Sequence, residues 1–296
     1  MAVAGRGSER PLQGSVAVVT GAGRGIGRAI ALDLAAAGAR IIVNDLGATP
    51  VTTGTKDEAA ESVAREIREL GGDAFCVYET VATMQGGKRI IDAAMDHFGR
   101  LDTLVCNAGI LRPASIFDLT EQDWDEVIET NLKGHFSMMQ PAARIMRDQA
   151  SGSIVTMTSS GGLEGSPKQP NYAASKEGIV GLMRSVALAL APYATCNAVS
   201  PSASTRMLAL MRPGHDPGSA EDVAPLVTFL AGPDARHITG QVIGVAGNRV
   251  SIFPQPRPIR SMFTDGTWTA DRIAERWEAN LGGERLVRWE RMVGKV

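Results

Sequence analysis

Val16-Ala17-Val18-Val19-Thr20-Gly21-Ala22-Gly23-Arg24-Gly25-Ile26-Gly27 opens on an apolar run, breaks into glycines and continues into the small and apolar residues Arg28 to Ala37. Apolar run, glycine turn and amphipathic stretch read as strand, tight turn and helix. That arrangement binds a pyrophosphate, because glycines let the backbone approach closely while the unpaired N–H groups and positive end of the following helix face the phosphates. A glycine-rich string alone is weak evidence; its position between a strand and a helix is what gives it weight.

Eighteen residues after Gly27 a second apolar run, Ile41 to Val43, ends in Asn44-Asp45-Leu46-Gly47. An acid at the tip of the second strand accepts hydrogen bonds from ribose hydroxyls and repels a 2'-phosphate, which favours NAD over NADP. Arg24 argues the other way, since a guanidinium in the glycine turn can pair with that phosphate. Asp45 carries more weight, because two like charges within about 5 Å at a partly shielded site cost several kcal/mol. The bland reading of Asp45 is a turn residue before Gly47.

Tyr172 and Lys176 stand four residues apart in Asn171-Tyr172-Ala173-Ala174-Ser175-Lys176, at the head of another helical segment. The spacing puts phenol and ammonium on one face. Bringing a phenol from its ordinary pKa of about 10 to near 7 takes roughly 4 kcal/mol of differential stabilisation, and a neighbouring ammonium is one source of it. Taken alone, the pair is an ordinary surface Tyr and Lys.

Together, Gly21-x-x-x-Gly25-x-Gly27, the triplet Asn107-Ala108-Gly109 after the run Leu101 to Cys106, Asn131, a Ser thirteen residues before the Tyr, and Tyr172-x-x-x-Lys176 resemble the short-chain dehydrogenase/reductase family over about residues 14 to 247. Counting back selects Ser159, with Ser160 as the fallback. The resemblance implies a doubly wound, Rossmann-type, three-layer α/β domain with a parallel sheet of about seven strands. It implies an oxidoreductase moving a hydride between a secondary alcohol or ketone and NAD. Catalysis would fall to Tyr172, Lys176, Ser159 and Asn131: Tyr172 as base or acid, Lys176 lowering its pKa and holding ribose hydroxyls, Ser159 bonding the reacting oxygen, and Asn131, through its side chain or a kink in its helix, positioning a water between Lys176 and solvent. Cofactor contacts would come from Gly21, Arg24, Gly25, Ile26, Gly27, Asp45, Val81, Asn107, Ala108, Gly109, Tyr172, Lys176, Pro201 and Thr205. Asn44-Asp45-Leu46-Gly47, Asn107 to Arg112, Cys196-Asn197 with Pro201, Arg206-Met207 and Asp222 to Val227 are similar to the (3R)-hydroxyacyl-CoA dehydrogenase branch, which implies a 3-hydroxyacyl or 3-oxoacyl thioester substrate. A steroid or other hydrophobic alcohol is the alternative, and a non-catalytic dinucleotide-binding protein is the reading from another class.

Three positions depart from the family pattern: Pro201-Ser202 replaces Pro-Gly, Tyr78-Glu79-Thr80-Val81 lacks the usual Asp, and Ala246-Gly247-Asn248 replaces Asp-Gly-Gly. Strands are expected near 15–20, 40–44, 73–77, 102–106, 152–157, 195–199 and 241–246. A helix is expected over about Lys56 to Leu70 with a Glu61–Arg65 pair, and another over Trp124 to Arg147 that bends or restarts near Pro141. Thr205 to Glu221, with Met207, Leu208, Leu210 and Met211 before Pro213-Gly214, reads as an apolar lid. Residues 1–13 read as a flexible leader, 14–247 as the catalytic domain and 248–296 as an extension. In the extension Pro254, Pro256 and Pro258 suggest an extended arm, followed by a helix Thr269 to Asn280 capped by Thr269 or Thr267, with Trp268, Trp277 and Trp289 seeking burial.

At 296 residues and 44% hydrophobic, the chain can bury one large core. A net charge of -2 with no basic block gives no footprint for nucleic acid or an anionic membrane. Arg184 interrupts the best apolar stretch, so no membrane span is expected, and the leader is no secretory signal. The three Cys and four His are scattered, which predicts no disulfide framework and no metal site. Cytoplasm is the default location, and the resemblance implies a homodimer or homotetramer paired through the Trp124–Arg147 helix and the helix bearing Tyr172.

Overall fold

The computed structural model describes residues 10–47, 58–204 and 218–282. Strand and helix alternate from the start: β1 (Val16–Thr20), α1 (Gly25–Ala36), β2 (Arg40–Asn44), α2 (Ala59–Glu69), β3 (Ala74–Val77), α3 (Met84–Phe98) and β4 (Thr103–Cys106). Then come α4 (Glu121–Val127), a π-helical turn (Ile128–Lys133), α5 (Gly134–Gln149), β5 (Ser153–Met157), α6 (Ser160–Leu163), α7 (Pro170–Leu190) and β6 (Thr195–Ser202). α8 (Ala224–Ala231), β7 (Val242–Ala246), β8 (Arg249–Ile252) and α9 (Ala270–Asn280) complete the described elements.

The strands form one sheet in the order β3-β2-β1-β4-β5-β6-β7-β8, parallel except for the last. Side chains alternate across it. Along β1, Ala17 and Val19 join a core with Ile30 and Leu34 of α1, Val63 and Ile67 of α2, and Val227 of α8. Val16 and Val18 face the opposite core, with Ile90 of α3, Met138 and Met146 of α5, and Met183 of α7. A strand covered on both faces has no polar side to show, which is why β1 reads as an unbroken apolar run. The order reverses beside β1, between β2 and β4, and this switch opens a crevice beyond the carboxyl ends of the strands.

Four expectations need correction. The break in the long helix falls at the π turn around Asn131, while α5 runs through Pro141. The Ser137 carbonyl, which Pro141 cannot supply with its helical donor, lies against Gly87 of α3; an added Cβ there would be 2.4 Å away. Glu61 pairs with Arg68 two turns on, and Arg65 reaches Glu69 instead. Beyond Gly247, whose φ is +51°, the chain turns back as β8 against β7, so the sheet has eight strands; the Gly247-Asn248 turn flanked by Val250 and Ile252 is a hairpin signal. Trp277, expected to be buried, is 48% exposed.

The chain divides into two compact units, Met1–Phe253 and Pro254–Val296. Within the second, Thr269 caps α9 by accepting from the Arg272 N–H, and the Arg276 guanidinium lies over the Trp268 ring. Trp289, Thr205 and residues 205–217 of the expected lid lie outside the described residues. Among those described, no helix is long and apolar enough to cross a membrane, and no three His, Cys, Asp or Glu converge as metal ligands.

Candidate active site

Two groups of residues meet at the carboxyl ends of the strands. The first is a glycine cradle after β1. Gly21 and Gly25 take φ of +62° and +53°, where a Cβ is strained. At Gly27 a Cβ would lie 2.2 Å from the Gly21 carbonyl oxygen. α1 then begins with Arg24 at its cap position and no side-chain capping bond, so its first N–H groups point into the crevice without an acceptor from the cap.

The cradle is held from β4. Asn107 Nδ2 donates to the carbonyls of Thr20 and Gly21 at 2.9 and 3.1 Å. Thr20 Oγ1 accepts from the N–H groups of Asn107 and Ala108. From β2, Asp45 Oδ2 accepts from the Gly23 N–H at 2.9 Å and Oδ1 from Gly47 at 2.8 Å. A Cβ on Gly23 would meet that carboxylate at 2.9 Å. Backbone donors, a cradle that any side chain would fill, and an acid at the tip of β2 fit a dinucleotide. Ile26 sits half-buried in the first turn of α1. Val81 is buried against the π turn and α5, its carbonyl accepting from Ser137 Oγ, and half-buried Pro201 lies in β6 opposite Val245.

The second group gathers around the start of α7. Pro170 opens the helix, where its missing N–H costs nothing. Asn171, fully buried, donates to the carbonyls of Arg112 and Asp123 and accepts from the Tyr172 N–H, which fixes how the helix enters the site. Tyr172 is 9% exposed and lies beside Ser159, which stands just past the end of β5 and caps α6 by accepting from Gly161. Ser159, and not Ser160, is the serine that acts on the phenol. Burial raises the Tyr172 pKa above its ordinary value and the Ser159 hydroxyl opposes it.

Lys176 is 4% exposed; its Nζ donates to the Met157 carbonyl at 2.8 Å and lies 5.5 Å from the centre of the Tyr172 ring. Burial pushes its pKa down to about 8. The sequence reading has Lys176 lowering the phenol pKa; in this geometry the ammonium is turned to Met157, and burial and Ser159 are what move the phenol.

Asn131, fully buried in the π turn, accepts from the Ile110 N–H at 2.8 Å and donates to the Ile110 carbonyl and to Ser175 Oγ. Its side chain thus clamps the backbone that follows Gly109. A Cβ on Gly109 would stand 3.2 Å from Asn131 Oδ1 and 3.8 Å from Lys176 Nζ, so the triplet must pass close to both. Of the two routes by which Asn131 is expected to position a water, the side chain is taken up by this clamp, which leaves the kink of the π turn. Sequence reasoning missed two buried groups with an unpartnered atom. Gln169, whose Oε1 has no partner among the described residues, has its amide nitrogen near Ser159 and Tyr172, and His135 Nε2 is one turn beyond Asn131. Only their spacing from Tyr172 and Asn131 could have drawn attention to them.

A family model described as short chain dehydrogenase matches residues 15–214. The chain is 37% identical over 289 residues to a short-chain type dehydrogenase/reductase of Mycobacterium tuberculosis, across 93% of this chain and 97% of that one. It is 42% identical over 248 residues to the 3-oxoacyl-(acyl-carrier-protein) reductase FabG of Staphylococcus aureus, across 78% of this chain and 96% of the reductase. Peroxisomal multifunctional enzyme type 2 of Drosophila melanogaster is 41% identical over 220 residues, which are 73% of this chain but 36% of that enzyme. A crystal structure of a short chain dehydrogenase from Mycobacterium avium superposes with a TM-score of 0.83 at 36% identity, covering 93% of this chain and 97% of that one.

Proposed function

The chain belongs to the short-chain dehydrogenase/reductase family, and from that premise we propose that it oxidises a 3-hydroxyacyl thioester, or reduces the 3-oxoacyl form, with NAD as its cofactor. As a family member it is an oxidoreductase acting on CH–OH groups with a nicotinamide dinucleotide. The nicotinamide, when bound, accepts or returns the hydride. Everything else the reaction needs is proton handling and exclusion of water.

The observation that carries the reading is the desolvated Tyr172–Ser159 pair with the Lys176 ammonium one turn away. Oxidising an alcohol requires removal of its hydroxyl proton, and Tyr172 in its phenolate form takes it; in reduction the phenol gives it back. Ser159 bonds the same oxygen as its charge changes, which matters most where water is excluded. Lys176, its pKa lowered to about 8, keeps its proton near neutral pH, and its ammonium, held by the Met157 carbonyl, would hold the nicotinamide ribose hydroxyls. Asp45 and the cradle would hold the adenosine half, with Asp45 selecting against a 2'-phosphate through its charge.

The thioester rests on two relatives, a 3-oxoacyl reductase and a peroxisomal multifunctional enzyme, and on the phrases that resemble the (3R)-hydroxyacyl-CoA branch. A homodimer or homotetramer belongs to the same proposal, checked by mass in solution. The deciding experiment follows NADH and NADPH absorbance with acyl-CoA thioesters, steroids and simple secondary alcohols. The expected ranking puts 3-oxoacyl or 3-hydroxyacyl thioesters first with NAD; a steroid turned over at least tenfold better would replace the thioester, and turnover of none would leave a dinucleotide-binding protein.

A further inference from the structure

His135 stands four residues after Asn131, in the first turn of α5, and is 2% exposed. Its Nδ1 lies 2.5 Å from the Asn131 backbone carbonyl oxygen. A carbonyl only accepts, so the imidazole proton sits on Nδ1 and Nε2 keeps its lone pair. Nε2 is buried and has no hydrogen-bond partner among the described residues. Burial, and then the charge of Lys176, push the imidazole pKa down to about 3, so the ring is neutral at any working pH; the Asn131 and Cys106 carbonyls pull weakly the other way. An apolar side chain of similar volume would fill this space without stranding an acceptor. The polar ring is therefore explained by the bond it makes.

That bond falls at a particular place. Residues 128–133 leave the regular α-helical ladder, and a π turn of this kind depends on side chains to satisfy and fix its backbone. His135 Nδ1 takes the carbonyl of Asn131, whose own side chain grips the N–H and the carbonyl of Ile110 and touches Ser175. We infer that His135 is a positioning residue: its Nδ1–H holds the Asn131 carbonyl, and through it the π turn that aims the Asn131 amide at the backbone beside Gly109 and Lys176. The inference rests on the functional reading only where activity is the readout.

The experiment compares His135→Leu, which loses the donor, with His135→Asn, whose amide N–H reaches the Nδ1 position. In the Leu variant kcat falls about tenfold or more while NAD affinity, measured by fluorescence titration, stays within threefold, and Asn recovers most of the loss. In an Asn131→Ala background His135→Leu costs less than a further twofold, because the residue it acts through is gone. Independently of activity, exchange of the Ile110 amide proton accelerates at least tenfold in the Leu variant but not in the Asn variant, with β1 and β2 amides unchanged. Equal kcat and equal Ile110 exchange in Leu and wild type overturn the inference, as does additive loss in the Asn131→Ala background. Should the Leu chain not fold, His135→Gln gives the same contrast, since its longer side chain cannot hold an N–H at the Nδ1 position; Gln matching Asn in both readouts overturns the inference. A wild type that turns over no alcohol or ketone defeats the functional reading, and the exchange measurement still decides this one.

Discussion

The two halves of the crevice are built on opposite principles. Around β1, β2 and β4 the chain works by leaving side chains out: Gly21, Gly23, Gly25 and Gly27 keep the cradle open, and the polar side chains there, Thr20, Asn107 and Asp45, bind backbone. Around β5, the π turn and α7 it works by putting polar side chains in. Asn131, His135, Ser175 and Lys176 are all 4% exposed or less, and each has a named carbonyl, hydroxyl or N–H to hold it. The first half is geometry and tolerates almost no added volume. The second is electrostatics, and its properties depend on burial.

If the halves are separable, one change should silence chemistry and leave binding intact. Tyr172→Phe keeps the ring and loses the hydroxyl, so turnover should fall by at least ~10²-fold, the value of a positioned general base or acid. NAD affinity should stay within a few-fold. Steady-state rates with a direct binding titration test this, and a variant retaining more than about a tenth of wild-type rate would remove Tyr172 from the chemistry.

The converse change belongs to the cradle. In Gly27→Ala the new Cβ would lie 2.2 Å from a backbone carbonyl, which cannot swing aside as a side chain can. Overpacking of this kind costs typically 1–3 kcal/mol, so cofactor affinity should fall about tenfold or more. The rate at saturating cofactor should change far less. A Gly27→Ala enzyme with normal affinity and collapsed kcat would show that the halves are coupled.

Legibility in the sequence divides along the same line. The cradle, Asp45 and the seven parallel strands follow from spacing, because glycines and apolar runs state backbone geometry directly. The rest depends on what surrounds each group. Lys176 faces the Met157 carbonyl because β5 ends beneath α7, and nothing near Lys176 in sequence announces that neighbour. The helix break moved from Pro141 to Asn131 because tertiary contacts, Gly87 against Ser137 and Asn131 against Ile110, outweighed the local proline signal. β8 went unread because the three prolines after it dominated the reading of the tail, although Gly247-Asn248 carried the turn.

Asp45 sharpens the comparison, since it is the charged member of the geometric half. Its oxygens each accept one backbone N–H, from Gly23 and Gly47, and still have lone pairs for ribose hydroxyls. Asp45→Ser should narrow or reverse a preference for NAD over NADP, by roughly tenfold in the ratio of kcat/KM values, as one charge repulsion is removed beside Arg24. A wild type that already favours NADP would mean that Arg24 dominates.

The smallest effect concerns the cost of burying Lys176. Its pKa is about 8 in the folded chain against an ordinary 10.5, so the unfolded chain binds more protons between those values and stability rises with pH across that window. Below pH 8 the whole penalty is present, about 3 kcal/mol for a shift of that size. Lys176→Met removes the charge and keeps the length. It also gives up the charge-assisted bond to Met157, worth about 1.5–3 kcal/mol. The net should be about 0–1.5 kcal/mol of added stability at pH 7, with turnover lost, and the gain should shrink as pH climbs toward 10. Denaturant melts of both proteins at pH 7 and pH 9.5 test the sign: a Met variant less stable at pH 7 would show that the ammonium repays its desolvation through neighbours other than Met157, and the contrast between a geometric half and a strained electrostatic half would lose its energetic basis.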